Sequence, residues 1–271
     1  YLTKPGDVIG SDIPPREPLA CKPEPIPLSI IYEDSDVIVL DKPADLVVHP
    51  GAGHKNGTLV NALLFHCPDL EGVGNPVRPG IVHRLDKDTS GCMVVAKNHM
   101  AHESLSRQFK LREIGKVYLA LVYGKLKSST GVINLPIGRH PKDRTKMSTR
   151  SHRARSSETR WKVKEEVVGL TLLEIELKTG RTHQVRVHCA AMGHPVVGDV
   201  RYGRKRAWQR ILSRETLTAL SQARRQLLHA WRLTFSHPQA GTLMSFESPL
   251  PEDMVTLLDA LRHLAYESPS G

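Results

Sequence analysis

The chain has little of several things that would announce a particular chemistry. No stretch of its 271 residues approaches the ~18 to 20 uncharged apolar residues of a membrane span, and the amino terminus has neither the basic start nor the apolar core of a signal peptide. A cytoplasmic protein with no membrane partner is expected. The four cysteines, Cys21, Cys67, Cys92 and Cys189, lie far apart and form no C-x-x-C pair, which argues against a zinc knuckle or a disulfide framework and leaves reduced, mostly buried thiols. "GAGHKNGT" is glycine-rich but lacks the G-x-x-x-x-G-K-[ST] order of a phosphate loop, and no G-x-G-x-x-G follows a strand, so nucleotide hydrolysis and hydride transfer lose ground. Fourteen histidines include the neighbours His99/His102 and His183/His188, yet no H-E-x-x-H and no Asp/Cys cluster completes a coordination sphere. Ser90 sits in D-x-T-S-G, away from the G-x-S-x-G of a nucleophile elbow. Aromatic residues make up only 5%, which favours recognition of a polyanion through phosphates and folded shape over a base-stacking platform.

What the chain does have is positive charge. Lys and Arg number 38 against 28 Asp and Glu, a net +10 that points to a polyanionic partner. Between Arg139 and Arg160 stand eight basic and two acidic residues, with almost no apolar side chain among them. This segment, with Arg139, His140, Lys142, Arg144 and Lys146 at its start, reads as an exposed basic loop suited to phosphate contact. Arg201, Arg204, Lys205, Arg206 and Arg210 form a second cluster.

Patterning suggests an α+β fold. Six prolines between Ile13 and Pro27 exclude helix and central strand, so residues 13–27 read as a stiff extended linker and a domain boundary. "SIIYED" and "DVIVLDKP" read as a strand pair, "LVNALLFHC" as a helix, "GCMVVAKN" as a buried strand, and "HMAHESLSRQFKLRE" as an amphipathic helix. "GKVYLALVYGKL" is a strand apolar on both faces. "TRWKVKEEVVGLTLLEIELKTG" splits at Gly169 into a hairpin. "THQVRVHCAAMG" has helical spacing, and Gly193 is placed to cap it. The region from about Ala207 to Leu228 reads as helix or helices, "AWRLTFSHP" and "TLMSFESPL" as strands, and "PEDMVTLLDALRHLA" as a helix with Pro251 in its first turn. Strands joined by short turns, with helices interspersed irregularly, imply a mixed, largely antiparallel sheet. The start at Tyr1, without methionine and within an apparent strand and turn, leads us to expect a further segment upstream.

Two dense polar segments are candidates for chemistry. "GIVHRLDKDTSG" packs His83, Arg84, Asp86, Lys87 and Asp88 directly ahead of an apolar strand, a rigid support for a functional carboxylate. On local features alone Asp86 reads first as a salt-bridged turn residue, since Thr89-Ser90-Gly91 is ordinary turn chemistry. "GRTHQVRVH" supplies Arg181, His183 and Arg186 at a helix start; an arginine here can pair with a carboxylate in a desolvated pocket or bind phosphate.

"HRLDKDTSG" (83–91), "KVYLALVYG" (116–124) and "GRTHQVRVH…GHPVVGDVRYG" (180–203) resemble the successive motifs of the RluA family of RNA pseudouridine synthases, and "DKPADLVVHPGAGHKNGTLVNALL" (41–64) resembles its opening motif. The likeness spans Ile30 to Ala265 in order and spacing. "VVHPGAG" with "LPIGRHPKDRTKM" is most similar to the RluD branch, which modifies large-subunit ribosomal RNA. The resemblance implies the pseudouridine synthase fold, a sheet flanked by helices and loops with the active-site cleft across it, over residues 28–271. It also implies that 1–12 is the carboxy-terminal remnant of an S4-type RNA-binding domain. Asp86 is then the essential aspartate, Tyr118 the tyrosine that stacks on the target base, Arg186 the basic partner of Asp86, and Arg84 the residue that fills the place of a displaced uridine. His83, Arg181 and His183 organise the site or touch RNA. Without the resemblance Tyr118 would pass for a core aromatic.

Isomerising uridine breaks N1–C1′ and joins C5 to C1′ with no net redox change, so no cofactor is expected. An ionised Asp86 fits either as a nucleophile or as a base at the sugar. A monomer acting on ribosomal RNA, in the helix 69 stem-loop as in the RluD branch, is the resulting expectation. The alternatives are a sister-branch synthase acting on other ribosomal or transfer RNA uridines, a non-catalytic RNA-binding or ribosome-assembly factor, and, more distantly, a metal-dependent nuclease. An intact Asp86, Tyr118 and Arg186 set disfavours the assembly factor, because binding alone needs no such trio.

Overall fold

A computed structural model describes residues 4–8, 21–51, 53–203, 208 and 210–267. Strands β1 (Ser29–Glu33) and β2 (Val37–Lys42) form a hairpin whose turn is held by the Asp34 carboxylate, which accepts from the Asp36 and Val37 amides. Helix α1 (Leu59–His66) follows the glycine-rich loop and starts where Asn61 accepts from the Thr58 amide. The two-residue strands β3 (Gly74–Asn75) and β4 (Arg78–Pro79) lead to β5 (Ser90–Ala96), and Asn98 caps α2 (His99–Leu111) by accepting from Ala101. Next come β6 (Gly115–Tyr123), β7 (Thr130–Ile133), the small hairpin β8 (Gly138–Arg139) with β9 (Met147–Ser148), β10 (Thr159–Val167) and β11 (Leu170–Leu177). Helices α3 (Gln184–Ala191) and α4 (Arg214–Leu220), strands β12 (Leu228–Ser236) and β13 (Leu243–Glu247), and helix α5 (Glu252–Glu267) complete the described chain.

The main sheet runs β1-β2-β5-β12-β6-β11-β10-β7, with β13 paired to the far half of β12. Every pairing in it is antiparallel except β5 with β12, which run parallel through Ser90–His229 and Gly91–Ala230. The sheet is mixed and largely antiparallel, as the patterning implied. It is covered on both faces, which explains why its central strands are apolar throughout. In β2 and β5, Ile38, Leu40, Met93 and Val95 pack beneath α1, while Val37, Val39, Cys92 and Val94 face Ala101 and Leu105 of α2. In β6, Leu119 and Leu121 face α5 through Leu257 and Leu258, and Ala120 and Val122 face α3 through Val185 and Cys189.

The β10–β11 turn falls at Val168 (φ 37°) and Gly169 (φ 79°), the double left-handed geometry of a tight hairpin. Gly91 matters more for the site. With φ 117°, a Cβ there would lie 2.2 Å from the Ala230 carbonyl, so only glycine lets β5 meet β12 directly beyond the Asp86 loop.

The helical reading of the region from about Ala207 to Leu228 holds at Trp208 and for α4, Arg214–Leu220, with Ala207 and Gln209 outside the described residues; it is corrected after Leu220, where the chain turns and enters β12 at Leu228. Arg225, in that non-helical stretch, directs its side chain to the Asp253 carboxylate and to backbone carbonyls. Pro251 also sits just ahead of α5, which begins at Glu252. Most of the expected S4 remnant (1–12) and linker (13–27) lies outside the described residues. Residues 21–27 carry no helix or strand and pass beside α1, where Lys22 and Glu24 exchange hydrogen bonds with Asn61.

Candidate active site

The loop from His83 to Thr89 is held from below by two buried cations. Lys42, wholly buried, donates to the carbonyls of Pro43 (2.6 Å), Leu46 (2.9 Å) and Lys87 (2.9 Å). Burial draws its ammonium down to about 8, against the opposing pull of Asp88 and Asp86. Arg225 donates to the Asp88 carbonyl at 3.0 Å while its other nitrogens bind Asp253. Lys87 and Asp88 thus hold the loop through their main chains, and the Lys87 side chain pairs outward with Asp45 at 2.9 Å.

At the loop's start the His83 imidazole accepts from the Val94 amide (3.0 Å) and stacks on Phe109, ring centroids 4.6 Å apart. Burial, helped by the Lys116 charge, pushes His83 down to about 3, so it stays a neutral acceptor extending the ladder of β5.

Asp86 opens into a cleft of about 520 Å³ between this loop, the end of α2, β6 and the segment from Leu177 to Arg186. The helix start opposite is pinned by Gln184, whose side chain accepts from the Arg181 amide and Thr179 hydroxyl and donates to the Glu158 carbonyl. From α3, Arg186 reaches back: its Nη1 donates to Asp86 Oδ2 at 2.9 Å, while Nε and Nη2 donate to the fully buried Asp199 at 2.7 and 3.0 Å. Burial opposes the Arg186 charge, but the two carboxylates outweigh it and raise its pKa further. Asp199 Oδ1 also accepts from the Arg201 and Tyr202 amides, so its orientation is fixed independently of Asp86. Among the described residues nothing donates to Asp86 Oδ1. One oxygen is locked by Arg186 and the other is free in the cleft.

His183 (φ 56°) stands beside this pair, its Nε2 3.8 Å from Asp86 Oδ2. Its Nδ1 lies 2.7 Å from the Tyr202 hydroxyl, which accepts from the Met147 amide and so donates its own proton to the ring. Burial lowers the His183 pKa, which leaves a neutral ring with its proton on Nε2, toward Asp86. This chain of hydrogen bonds ties the basic hairpin to the site. The hairpin is itself ordered: the Arg139 guanidinium donates to the Arg144 carbonyl, the His140 ring accepts from the Lys142 and Asp143 amides, and Lys146 lies 3.8 Å from Asp143. Tyr118 faces the cleft from β6; burial and the nearby Asp86 charge push its phenol well above the ordinary range, keeping it neutral. Arg84 is exposed at the cleft mouth, and Arg181, half-buried, donates to the Ser156 carbonyl across it.

Asp86, Tyr118, Arg186, His183, Arg84, Arg181 and His83 therefore line one cleft, and Arg139 to Lys146 lie on a hairpin joined to it through Tyr202. Sequence reasoning did not single out Asp199 and Tyr202, although both stand in the motif "GDVRYG", where the one acid in a basic stretch was the available signal. Asp34, Asp36 and His237 form the one group among the described residues spaced to hold a metal, at the opposite end of the sheet. The His237 Nδ1 accepts from the Gln239 and Ala240 amides, so Nε2 carries the ring proton and donates to Asp34 at 2.9 Å. That proton occupies the position a metal would need.

A recessed carboxylate with one free oxygen, beside a neutral phenol in a cleft rimmed by cations, is an arrangement suited to carboxylate chemistry on a polyanion. Residues 36–191 match the model of the RNA pseudouridylate synthase family. The chain is 46% identical over 262 residues to the uncharacterized RNA pseudouridine synthase YlyB of Bacillus subtilis, covering 97% of this chain and 82% of that one. It is 49% identical over 247 residues to ribosomal large subunit pseudouridine synthase D of Nitrosomonas europaea, covering 91% and 69%. The solved structure of human RNA pseudouridylate synthase domain containing 4 superposes with a TM-score of 0.68 at 29% identity, over 86% of this chain and 93% of that one. The chain belongs to the RNA pseudouridylate synthase family, of the RluA/RluD type, and isomerises uridine in RNA to pseudouridine. No helix among the described residues is long and apolar enough to cross a membrane.

Proposed function

We propose that this chain modifies uridines of large-subunit ribosomal RNA, with the helix 69 stem-loop as its target, and that Asp86 carries the reaction without a cofactor. The observation that carries the mechanism is the divided carboxylate: Oδ2 fixed by Arg186, Oδ1 open to the cleft. Either route for Asp86 needs that free oxygen. As nucleophile it bonds to C1′ while the N1–C1′ electrons pass to the uracil, which then displaces it through C5. As base it takes a sugar proton and later returns it. In both routes the C5 proton is lost, N1 gains one, and Asp86 ends unchanged. Tyr118, neutral and beside Asp86, offers a face for the rotating base. Arg84, with no carboxylate partner among the described residues, is free to enter the stack the uridine vacates, which offsets a flipping cost of a few kcal/mol. The ribosomal target is supported by the names of the relatives that share 46% or more of its residues.

Asp86→Asn keeps the shape of the side chain and one acceptor. It is expected to remove product formation by at least about 10⁴-fold, on the scale seen when a residue at the reacting atoms is replaced, while RNA affinity persists. Turnover surviving in Asp86→Asn sinks the mechanism. Mapping pseudouridine in ribosomal RNA from cells with and without the protein tests the target, and an unchanged large-subunit map rejects it.

A further inference from the structure

Two lysines among the described residues are buried, and they are buried differently. Lys42 satisfies its three donors with three carbonyls. Lys116, only 9% exposed, has no hydrogen-bond acceptor and no carboxylate for its ammonium among the described residues. The ammonium lies instead over the Phe109 ring, 5.9 Å from the ring centroid. Most of the side chain is buried, which disfavours its charge, and a cation–π contact at that distance contributes only about 0.5–1 kcal/mol. Lys116 nevertheless lines the cleft, two residues before Tyr118 on the same face of β6. At about 3.3 Å per strand residue, the two side chains leave the sheet roughly 6.6 Å apart.

The neighbours make an anion more necessary. Arg112 ends α2 at φ 63°, a left-handed cap that glycine would occupy at less cost, and it lines the same cleft, as does Arg181. Arg112 and Lys178 both disfavour the Lys116 charge, on top of burial, and Arg112 likewise opposes that of Arg181. Three cations thus line the cleft beside Tyr118, and none of the three is paired with a carboxylate among the described residues.

We propose that Lys116, flanked by Arg112 and Arg181, binds a backbone phosphate of the RNA next to the flipped uridine. This rests on the synthase reading above and adds a residue that fixes where along the strand the nucleotide must lie. A phosphate at Lys116 with the base at Tyr118 sets the register of the strand across the cleft.

The test uses the full chain and ribosomal stem-loop RNA carrying the mapped uridine, with a neutral methylphosphonate placed singly at each phosphate around it. Wild type is expected to lose about tenfold in affinity at one of these positions. Lys116→Gln should show that same loss on unmodified RNA, expressed in KM with kcat little changed, with a salt slope shallower by about 0.7. It should be indifferent to the methylphosphonate that hurts wild type, and Lys116→Arg should restore sensitivity. A flat scan with wild type overturns the proposal whether or not the variant folds. So does a Lys116→Gln enzyme that loses kcat at unchanged KM, or one that feels every methylphosphonate as wild type does. If wild type makes no pseudouridine in any ribosomal RNA, the proposed function fails instead, and the binding measurements still decide the role of Lys116.

Discussion

The floor and the rim of the cleft both carry positive charge, but the floor answers all of it with the protein's own groups and the rim only part. Beneath the loop, Lys42 and Arg225 hold backbone carbonyls, and Arg186 is shared between Asp86 and Asp199. Around the mouth, Arg84, Arg112 and Lys116 have no carboxylate among the described residues, and most of the basic hairpin faces solvent. Cations paired before substrate arrives set geometry, because their partners fix them; unpaired ones represent charge held ready for the RNA. Changes in the floor should therefore cost stability and rate together. Changes in the rim should cost affinity in a salt-dependent way.

Short of Asp86 itself, the largest departure is expected at Asp199. Asp199→Ala leaves Arg186 buried with one carboxylate in place of two and removes the acceptor for two backbone amides. Breaking such a buried pair costs about 3–5 kcal/mol, and a guanidinium displaced by about 1 Å would release Asp86, on the order of 10² in rate. Denaturant midpoints and single-turnover rates read the two effects, while affinity for RNA should hardly move. An Asp199→Ala protein with wild-type turnover would show that Asp86 does not depend on the floor.

Much of this contrast was legible in the sequence, for reasons that can be traced to residues. The central strands were readable because both faces of the sheet are covered, so β5 and β6 are apolar without interruption. Asp86, Tyr118 and Arg186 were readable only through the family motifs: Asp86 by itself resembles a turn residue, and Tyr118 a core aromatic. Asp199 and Lys116 stood inside those motifs but gained meaning only from their spatial neighbours, since Asp199 stands 13 positions beyond Arg186 along helix and loop. The helical reading runs past the end of α4 because charge and leucine continue to alternate there, whereas Arg225 is drawn into the loop floor and breaks the pattern.

At the rim, replacing Lys142, Arg144 and Lys146 together by Gln removes charge from a hairpin that stays organised by its own main chain. The salt slope of binding should fall by about 0.7–0.9 for each phosphate that the hairpin no longer neutralises, with kcat at saturating RNA largely kept. An unchanged slope would mean that this hairpin meets no phosphate. Arg84→Ala should act more narrowly, slowing turnover by about tenfold on a stem-loop, where a stacked base must be displaced, and little on an unstructured strand. Equal slowing on both RNAs would argue against a place in the stack.

The smallest effect, and the one that separates His83 from the rim, concerns acid stability. His83 was grouped with RNA-facing residues in the sequence, yet its ring accepts from the Val94 amide and stacks on Phe109. Burial first, and the Lys116 charge second, depress it from 6.5 to about 3. A depressed histidine pKa means that the unfolded chain takes up this proton before the folded one. The stabilisation from a neutral His83 is then fully present above pH 6.5 and declines as pH falls toward 3, by at most about 1.4 kcal/mol per pH unit. His83→Gln keeps an acceptor for the Val94 amide but cannot titrate. At neutral pH the variant should lie within about 1 kcal/mol of wild type, and between pH 6 and 4 its stability should fall less steeply, by close to one proton. Equal slopes in the two proteins would show that the His83 ring takes up its proton without unfolding and faces the RNA side of the cleft.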